Sequence, residues 1–305
     1  MKIAVLGASG YVGSRLVPHL QAKGWQVRCL VRNPDKTALT GAEIIVGDAT
    51  DNRAVERVLD DVDRIVYLIH SMDQGAGKFE QLDRQIAENV ADVASRVGVK
   101  QIVYLGGLGK RGESQSAHLR SRHTVAELLR STGTPVTEFR AGVVVGAGST
   151  SFEMIRFLVS RLPVMICPRW VKVKTQPIAV DDVLDYIGRS LVTPAALGET
   201  IDIGGPDILS YRDMMLTVAR QLGHRRLIIP VPVLTPQLSS HWVNLVTPIG
   251  APLARALIES VRSETICDND RALSMFDIRP MSFDDAVSDA LHGGTPSDTA
   301  LSYKP

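Results

Sequence analysis

Seven residues near the amino terminus, Gly7-Ala8-Ser9-Gly10-Tyr11-Val12-Gly13, have the spacing of a phosphate cradle. They follow the apolar run from Ile3 to Leu6, which reads as a strand, and they open the helical pattern of residues 11–23. In such a turn the first glycine permits a tight bend and the second lets a pyrophosphate approach the main chain. The third lets helix and strand pack closely. Exposed amides at the positive end of the helix then hold the phosphate charge. The spacing is G-x-x-G-x-x-G rather than G-x-G-x-x-G, and three glycines in such a turn can be purely structural. The strand before and the helix after favour dinucleotide binding.

A second position bears on which dinucleotide. Sites for NAD place Asp or Glu at the end of the second strand to bind the ribose 2′-hydroxyl, whereas a 2′-phosphate calls for Arg. Here Arg32 and Asn33 follow the run of residues 27–31. A guanidinium can contact the phosphate in bidentate fashion, and no carboxylate stands there to repel it. NADP(H) is therefore the expected cofactor and NAD(H) the alternative, with an exposed loop arginine as the plain structural reading.

These residues need a frame. Short apolar runs at residues 3–6, 27–31, 44–46, 64–69, 102–105 and 136–139 alternate with helical stretches at 11–23, 53–59, 78–97 and 117–131. That alternation predicts an α/β fold, a doubly wound parallel (Rossmann) sheet of strands buried on both faces. Gly24, Gly98 and Gly133 stand where helix C-terminal caps belong. Residues 1–145 form the expected dinucleotide-binding domain. Residues 146–292 form a smaller substrate-side region completing the fold, and residues 293–305 a flexible, Gly/Ser/Thr/Pro-rich tail. Within the second region, residues 176–180 read as a strand running into a helix capped by Asp181 or Asp182. Residues 200–203 read as another strand, and Ser210 caps a helix to Leu222. Phe152, Met154, Phe157, Met165 and Trp170 are expected to line a crevice beyond the strand ends. Trp242, Leu245, Val246 and Ile249 could form a lid, an oligomer surface or a membrane-touching face, with core packing the simpler reading.

With Val31-Arg32-Asn33-Pro34 and Gly47-Asp48 following the glycine turn, the chain resembles the short-chain dehydrogenase/reductase superfamily. More narrowly it resembles the atypical, NmrA-like NAD(P)H-binding members. Val103-Tyr104-Leu105, Phe139-Arg140-Ala141-Gly142, Gln176-Pro177-Ile178-Ala179-Val180-Asp181-Asp182-Val183 and Ile203-Gly204-Gly205-Pro206 match in order. The resemblance implies that Asp48 lies near the adenine and that His70-Ser71-Met72 borders the nicotinamide-side ribose. It also implies a catalytic Ser after the fifth strand and a Tyr-x-x-x-Lys pair on the next helix. This chain departs from that set: Gly106-Gly107 stands at the serine position, His118 at the tyrosine and Arg122 at the lysine. The i, i+4 spacing keeps His118 and Arg122 on one helix face. An imidazole there can serve as an acid, or as a neutral donor to a developing oxyanion, although a guanidinium beside it disfavours its charged form. The other reading has His118 capping or packing the helix start and Arg122 binding a ribose or pyrophosphate. His70 is a weaker candidate acid, and Tyr67 and Tyr104 are expected in or beside buried strands.

Composition excludes several classes. With 34 basic and 33 acidic residues the chain as a whole has no electrostatic footprint for nucleic acid or an anionic membrane surface. Cys29, Cys167 and Cys267 are too widely spaced for a disulfide framework or a metal site. No apolar run reaches a membrane-spanning length, and the amino-terminal run is too short for a signal peptide, which places the chain in the cytoplasm. Two functions fit. One is an oxidoreductase that uses NADPH to reduce a small apolar carbonyl or activated alkene. The other is a non-catalytic, dinucleotide-sensing regulatory or assembly protein with a protein partner.

Overall fold

The computed structural model describes residues 1–36, 38–71, 78–109, 116–231 and 264–293. Six strands of its central sheet come from the first half of the chain: β1 (Lys2–Leu6), β2 (Gln26–Val31), β3 (Glu43–Val46), β4 (Arg64–Tyr67), β5 (Gln101–Gly107) and β6 (Val136–Ala141). Four short strands follow, β7 (Val144–Val145), β8 (Val164–Pro168), β9 (Lys174–Thr175) and β10 (Ile178–Ala179), before β11 (Thr200–Ile203) returns to the sheet beside β6. All seven sheet strands are parallel, in the order β3-β2-β1-β4-β5-β6-β11. The order reverses between β1 and β4, and the crevice at the carboxyl ends of those strands is where ligands bind in open α/β sheets.

Period-two alternation sends β1 side chains to both faces of the sheet. Ile3 and Val5 pack with α1 (Tyr11–Ala22), α6 (Val180–Ser190) and α8 (Asp270–Phe276), while Ala4 and Leu6 pack with α2 (Asn52–Leu59), α3 (Lys78–Val97) and α4 (Ala117–Arg130). The helices end where glycine can take positive φ: Gly24 at 77°, Gly98 at 78° and Gly133 at 85°. One strand departs from burial on both faces. Glu43 and Val46 of β3 are exposed because β3 is the sheet edge, paired among the described residues only with β2.

A second core holds α5 (Thr150–Arg161), β8, α7 (Tyr211–Gln221), β13 (Leu227–Val231) and α9 (Phe283–Ser288), the antiparallel β12 (Leu209–Ser210) pairing with β9. Ser210 and Asp213 form a capping box at the start of α7. The strand expected over residues 176–180 shrinks to Ile178–Ala179, because its partner β7 offers only two residues and Pro177 has no amide hydrogen to donate. The helix after it is capped by Ala179 without a side-chain bond. Asp181 and Asp182 lie in its first turn, where the Asp182 carboxylate instead accepts the Met281 amide at 2.9 Å. Among the described residues no helix is long and apolar enough to cross a membrane. Trp242, Leu245, Val246, Ile249 and residues 294–305 lie outside the described residues, whereas Gly293 ends a helical turn, Asp289–Gly293.

Candidate functional site

The glycine turn sits at the carboxyl end of β1. Gly7 has φ +89°, and a Cβ there would lie 2.8 Å from the Leu68 carbonyl carbon. A Cβ on Gly13 would lie 2.2 Å from the Gly7 oxygen, so only glycine lets α1 start this close to the strand. Gly10 differs. Its Cβ would meet, within 4 Å, only the Gly7 oxygen at 3.3 Å, and its backbone caps α1 without a side-chain hydrogen bond. Open backbone at the positive end of a helix fits a pyrophosphate.

At the end of β2, Arg32 and Asn33 are exposed. Asn33 Oδ1 accepts the Asp35 amide at 3.0 Å, and among the described residues Arg32 makes no hydrogen bond or ion pair. After β3, Asp48 Oδ1 accepts both the amide and the hydroxyl of Thr50, at 2.9 and 2.8 Å. Asn89 of α3 anchors this loop through the Ala49 and Thr50 carbonyls.

Past β4 the chain brings together three ionisable groups. His70 Nδ1 lies 3.1 Å from Asp83 Oδ2 of α3, and His70 Nε2 lies 2.8 Å from His118 Nδ1 of α4. The two rings meet with centroids 4.5 Å apart. Asp83, 1% exposed, also accepts the Ser121 hydroxyl at 2.9 Å and the Ser71 amide at 3.0 Å. The carboxylate can only accept, so His70 donates from Nδ1. His118 does not cap its helix: Ser116 does, accepting the Leu119 amide at 3.3 Å. Its Nδ1 is taken by His70, which leaves Nε2 for a ligand. Met72 lies outside the described residues.

His118 and Arg122 line a cavity of about 280 Å³ that also reaches Tyr11 and Val12 of the glycine turn. Arg122 donates to the Leu105 carbonyl at 2.8 Å, and the Tyr104 hydroxyl donates to the Arg122 carbonyl at 3.1 Å, so α4 is fastened to β5 at this point. The absence of a serine has a steric counterpart. A Cβ on Gly107 would lie 2.9 Å from Leu119 Cδ2 and 3.0 Å from Arg122 Cδ, so the space of a side chain is occupied by α4. The remaining wall is largely apolar, with Leu105, Leu108, Val143, Val144, Met154 and Ile155.

Of the five residues expected in the crevice, only Met154 lines this cavity. Phe152 and Met165 are buried in the second core, Phe157 stacks against Arg156 and Arg161, and Trp170 packs edge-on to Tyr211. Apolar character alone does not tell which face of a helix meets the core and which meets the crevice. Tyr67 and Tyr104 are buried in β4 and β5. Asp83 was not singled out by sequence, yet a signal existed: it shares a helix face with Phe79, Ile86 and Val90, all buried, and a carboxylate on an apolar stripe needs a partner.

Burial, the Arg122 guanidinium and His70 together push the His118 imidazole from 6.5 down to about 2. Burial works against ionisation of Asp83, yet its hydrogen bonds with His70, Ser121 and Ser71 hold the carboxyl below its ordinary range. The adjacent imidazoles thus resist taking two protons, whereas the unfolded chain takes both near pH 6.5. Below that pH the unfolded state binds one proton more, so stability falls by about 1.4 kcal/mol per pH unit from this group. Asp83 adds to the loss only below its ordinary value of 3.8. Urea denaturation between about pH 6.5 and 4.5 should show this slope, and His118→Leu should flatten it. Equal slopes in the two proteins would refute the assignment.

Residues 7–154 match the family described as NAD(P)H-binding. The chain is 25% identical over 243 residues to Photosystem II assembly factor Ycf39 of Cyanophora paradoxa, covering 76% of this chain and 72% of that protein. Its fold is similar to that of an NADPH-dependent quinone oxidoreductase of Escherichia coli, with TM-score 0.75, 18% identity, and 95% and 100% of the two chains covered. It is also similar to the triphenylmethane reductase of Citrobacter sp., with TM-score 0.77, 18% identity, and 95% and 99% covered. Residues 7–154 thus carry the match to the NAD(P)H-binding family, and the chain has the Rossmann-like α/β fold of the two reductase structures.

Proposed function

We propose that this protein is an NADP(H)-dependent reductase of small apolar carbonyls or activated alkenes, with His118 as the proton donor. The carrying observation is the Asp83, His70, His118 chain, which ends in an apolar cavity beside the glycine turn. When bound, the dinucleotide supplies a hydride to the carbon being reduced. Gly7, Gly10 and Gly13 shape the pyrophosphate seat, Arg32 takes the 2′-phosphate and Asp48 lies toward the adenine. His70 and Ser71 stand on the nicotinamide side.

The proton comes from the protein. With His70 protonated against the Asp83 carboxylate, its Nε2–H donates to His118 Nδ1, so neutral His118 carries its own proton on Nε2. As negative charge grows on the substrate oxygen, His118 Nε2 gives up that proton and Nδ1 takes one from His70 across 2.8 Å. His70 ends neutral, with its Nδ1–H still on Asp83. A hydride and a proton have entered the substrate, and solvent recharges the pair. The low proton affinity of His118 suits this arrangement, because His118 never has to hold a second proton for long. Arg122 borders the same cavity and adds positive potential where the oxyanion develops.

The test is NADPH consumption across a panel of quinones, enones and aldehydes. Turnover with at least one class is expected, faster than with NADH, and no turnover with any would remove the proposal. A second reading is favoured by the likeness to an assembly factor and by the missing serine, tyrosine and lysine. In it the chain senses the dinucleotide and performs no chemistry. That reading requires a partner bound with different affinity in the presence of NADPH and NADP⁺, since a ligand shifts an equilibrium only through differential binding.

A further inference from the structure

On the far side of the second core, β8 and β13 form a two-stranded parallel sheet with one buried and one open face. Met165 and Ile228, paired in register, point inward at 1% and 6% exposure. Their neighbours point outward: Val164 beside Leu227 and Ile166 beside Ile229, at 47, 56, 54 and 41% exposure respectively. Four aliphatic side chains on one small sheet face form a contiguous apolar patch rather than scattered exposed residues.

The charges carried by the two strands and their flanks are of one sign. Residues 160–175 and 222–231, which carry both strands and their flanks, include six Lys or Arg and no Asp or Glu, in a chain whose overall charge is +1. Arg161 and Arg225 are exposed at the amino ends of the two strands, and Lys172 is exposed beyond the carboxyl end of β8. Beside β13 lies a cavity of about 450 Å³ lined by Arg220, His224, Arg225 and Arg226, with Leu216 as an apolar wall. Arg226 is held in place by the Val159 and Ser160 carbonyls that end α5, at 2.5 and 3.2 Å, and Arg220 by Asp284 of α9. A basic cleft thus opens directly next to an aliphatic face.

We propose that this face docks on the surface of a membrane containing acidic phospholipids, with headgroup phosphates at the arginine cleft and acyl chains against Val164, Ile166, Leu227 and Ile229. Peripheral membrane binding needs an apolar and an electrostatic contribution together, and both are present within one small area. The chemistry argues against the other occupants. Two copies meeting through this patch would set basic rim against basic rim. The cores of protein interfaces favour aromatic residues, Met and Arg, whereas the four exposed side chains at the centre of this face are Val, Ile, Leu and Ile, with the arginines at its edge.

Sedimentation of the full chain with vesicles tests the proposal directly. Vesicles of phosphatidylglycerol mixed into phosphatidylcholine should bind the protein roughly tenfold more strongly than phosphatidylcholine alone, and added salt should weaken that binding. Ile166→Glu and Leu227→Glu, both at exposed positions, should each reduce the partitioning by roughly tenfold or more. Arg225→Glu, on the loop before β13, should reduce it to a similar extent without touching the sheet. Circular dichroism of each variant checks that the fold is retained. Equal binding to both vesicle types, or unchanged partitioning in the three variants, would overturn the proposal. So would a concentration-dependent dimer that Ile166→Glu dissociates, which would assign the face to a second copy.

Discussion

His118→Ala is expected to lower kcat for whichever quinone, enone or aldehyde turns over by roughly a hundredfold to ten-thousandfold, the range for losing a positioned general acid. NADPH affinity should stay unchanged, because the proposed cofactor seat uses the glycine turn and Arg32 rather than α4. Asp83→Asn should follow in the same direction by a different route. An asparagine in that place presents one acceptor where Asp83 now meets three donors, from His70, Ser121 and Ser71. If its amide group faced His70 Nδ1, His70 would be driven to the opposite tautomer, and its Nε2–H could no longer be backed by a carboxylate. The rate should then fall while KM moves little, and the acid limb of the pH profile should shift. A loss in KM alone would make Asp83 a structural residue. Full activity in His118→Ala would show that the proton comes from elsewhere.

Cofactor choice carries the second large effect. Arg32→Ala should weaken NADPH binding by roughly tenfold to a hundredfold, the loss of a charged hydrogen bond of about 1.5 to 3 kcal/mol, and should leave NADH nearly unaffected. Arg32 is exposed, and the substitution removes no hydrogen bond or ion pair among the described residues. Arg32→Asp should go further, adding repulsion against the 2′-phosphate and an acceptor for the NADH hydroxyl, so that preference moves toward NADH. Calorimetric titration of both cofactors into the three proteins reads this out. Equal losses for the two cofactors would make Arg32 a bystander.

What could be read from the sequence was local. Gly7, Gly10 and Gly13 lie within seven residues, and the strand and helix around them follow from adjacent periodic runs, so the sheet and its helices could be placed almost residue by residue. The same logic failed at residues 176–180, where the length of the strand is set by a two-residue partner elsewhere in the chain. His118 and Arg122 were reached by position in a family pattern, and their helical spacing put them on one wall of the cavity. The link from His118 to Asp83 could not be reached that way. It depends on α3 and α4 bringing Asp83 and His118 to opposite sides of His70, contacts between elements rather than within one. The misplaced Phe152 and Met165 fail for the related reason that two cores compete for the same kind of residue.

The late return of β11 to the sheet sets an order on folding. Arg140 of β6 reaches Asp202 of β11 at 2.6 Å, and Arg130 bridges Glu138 and Thr200, contacts that span 62 and 70 residues of chain. Until that strand leaves the ribosome, β6 presents an open edge carrying Phe139, which ends fully buried. Parallel pairing over such a separation is slow, so the nascent protein spends its most aggregation-prone interval after the cofactor seat has been synthesised and before the sheet is closed. A shortened gene ending near residue 145 should therefore yield insoluble material rather than a small dinucleotide-binding module.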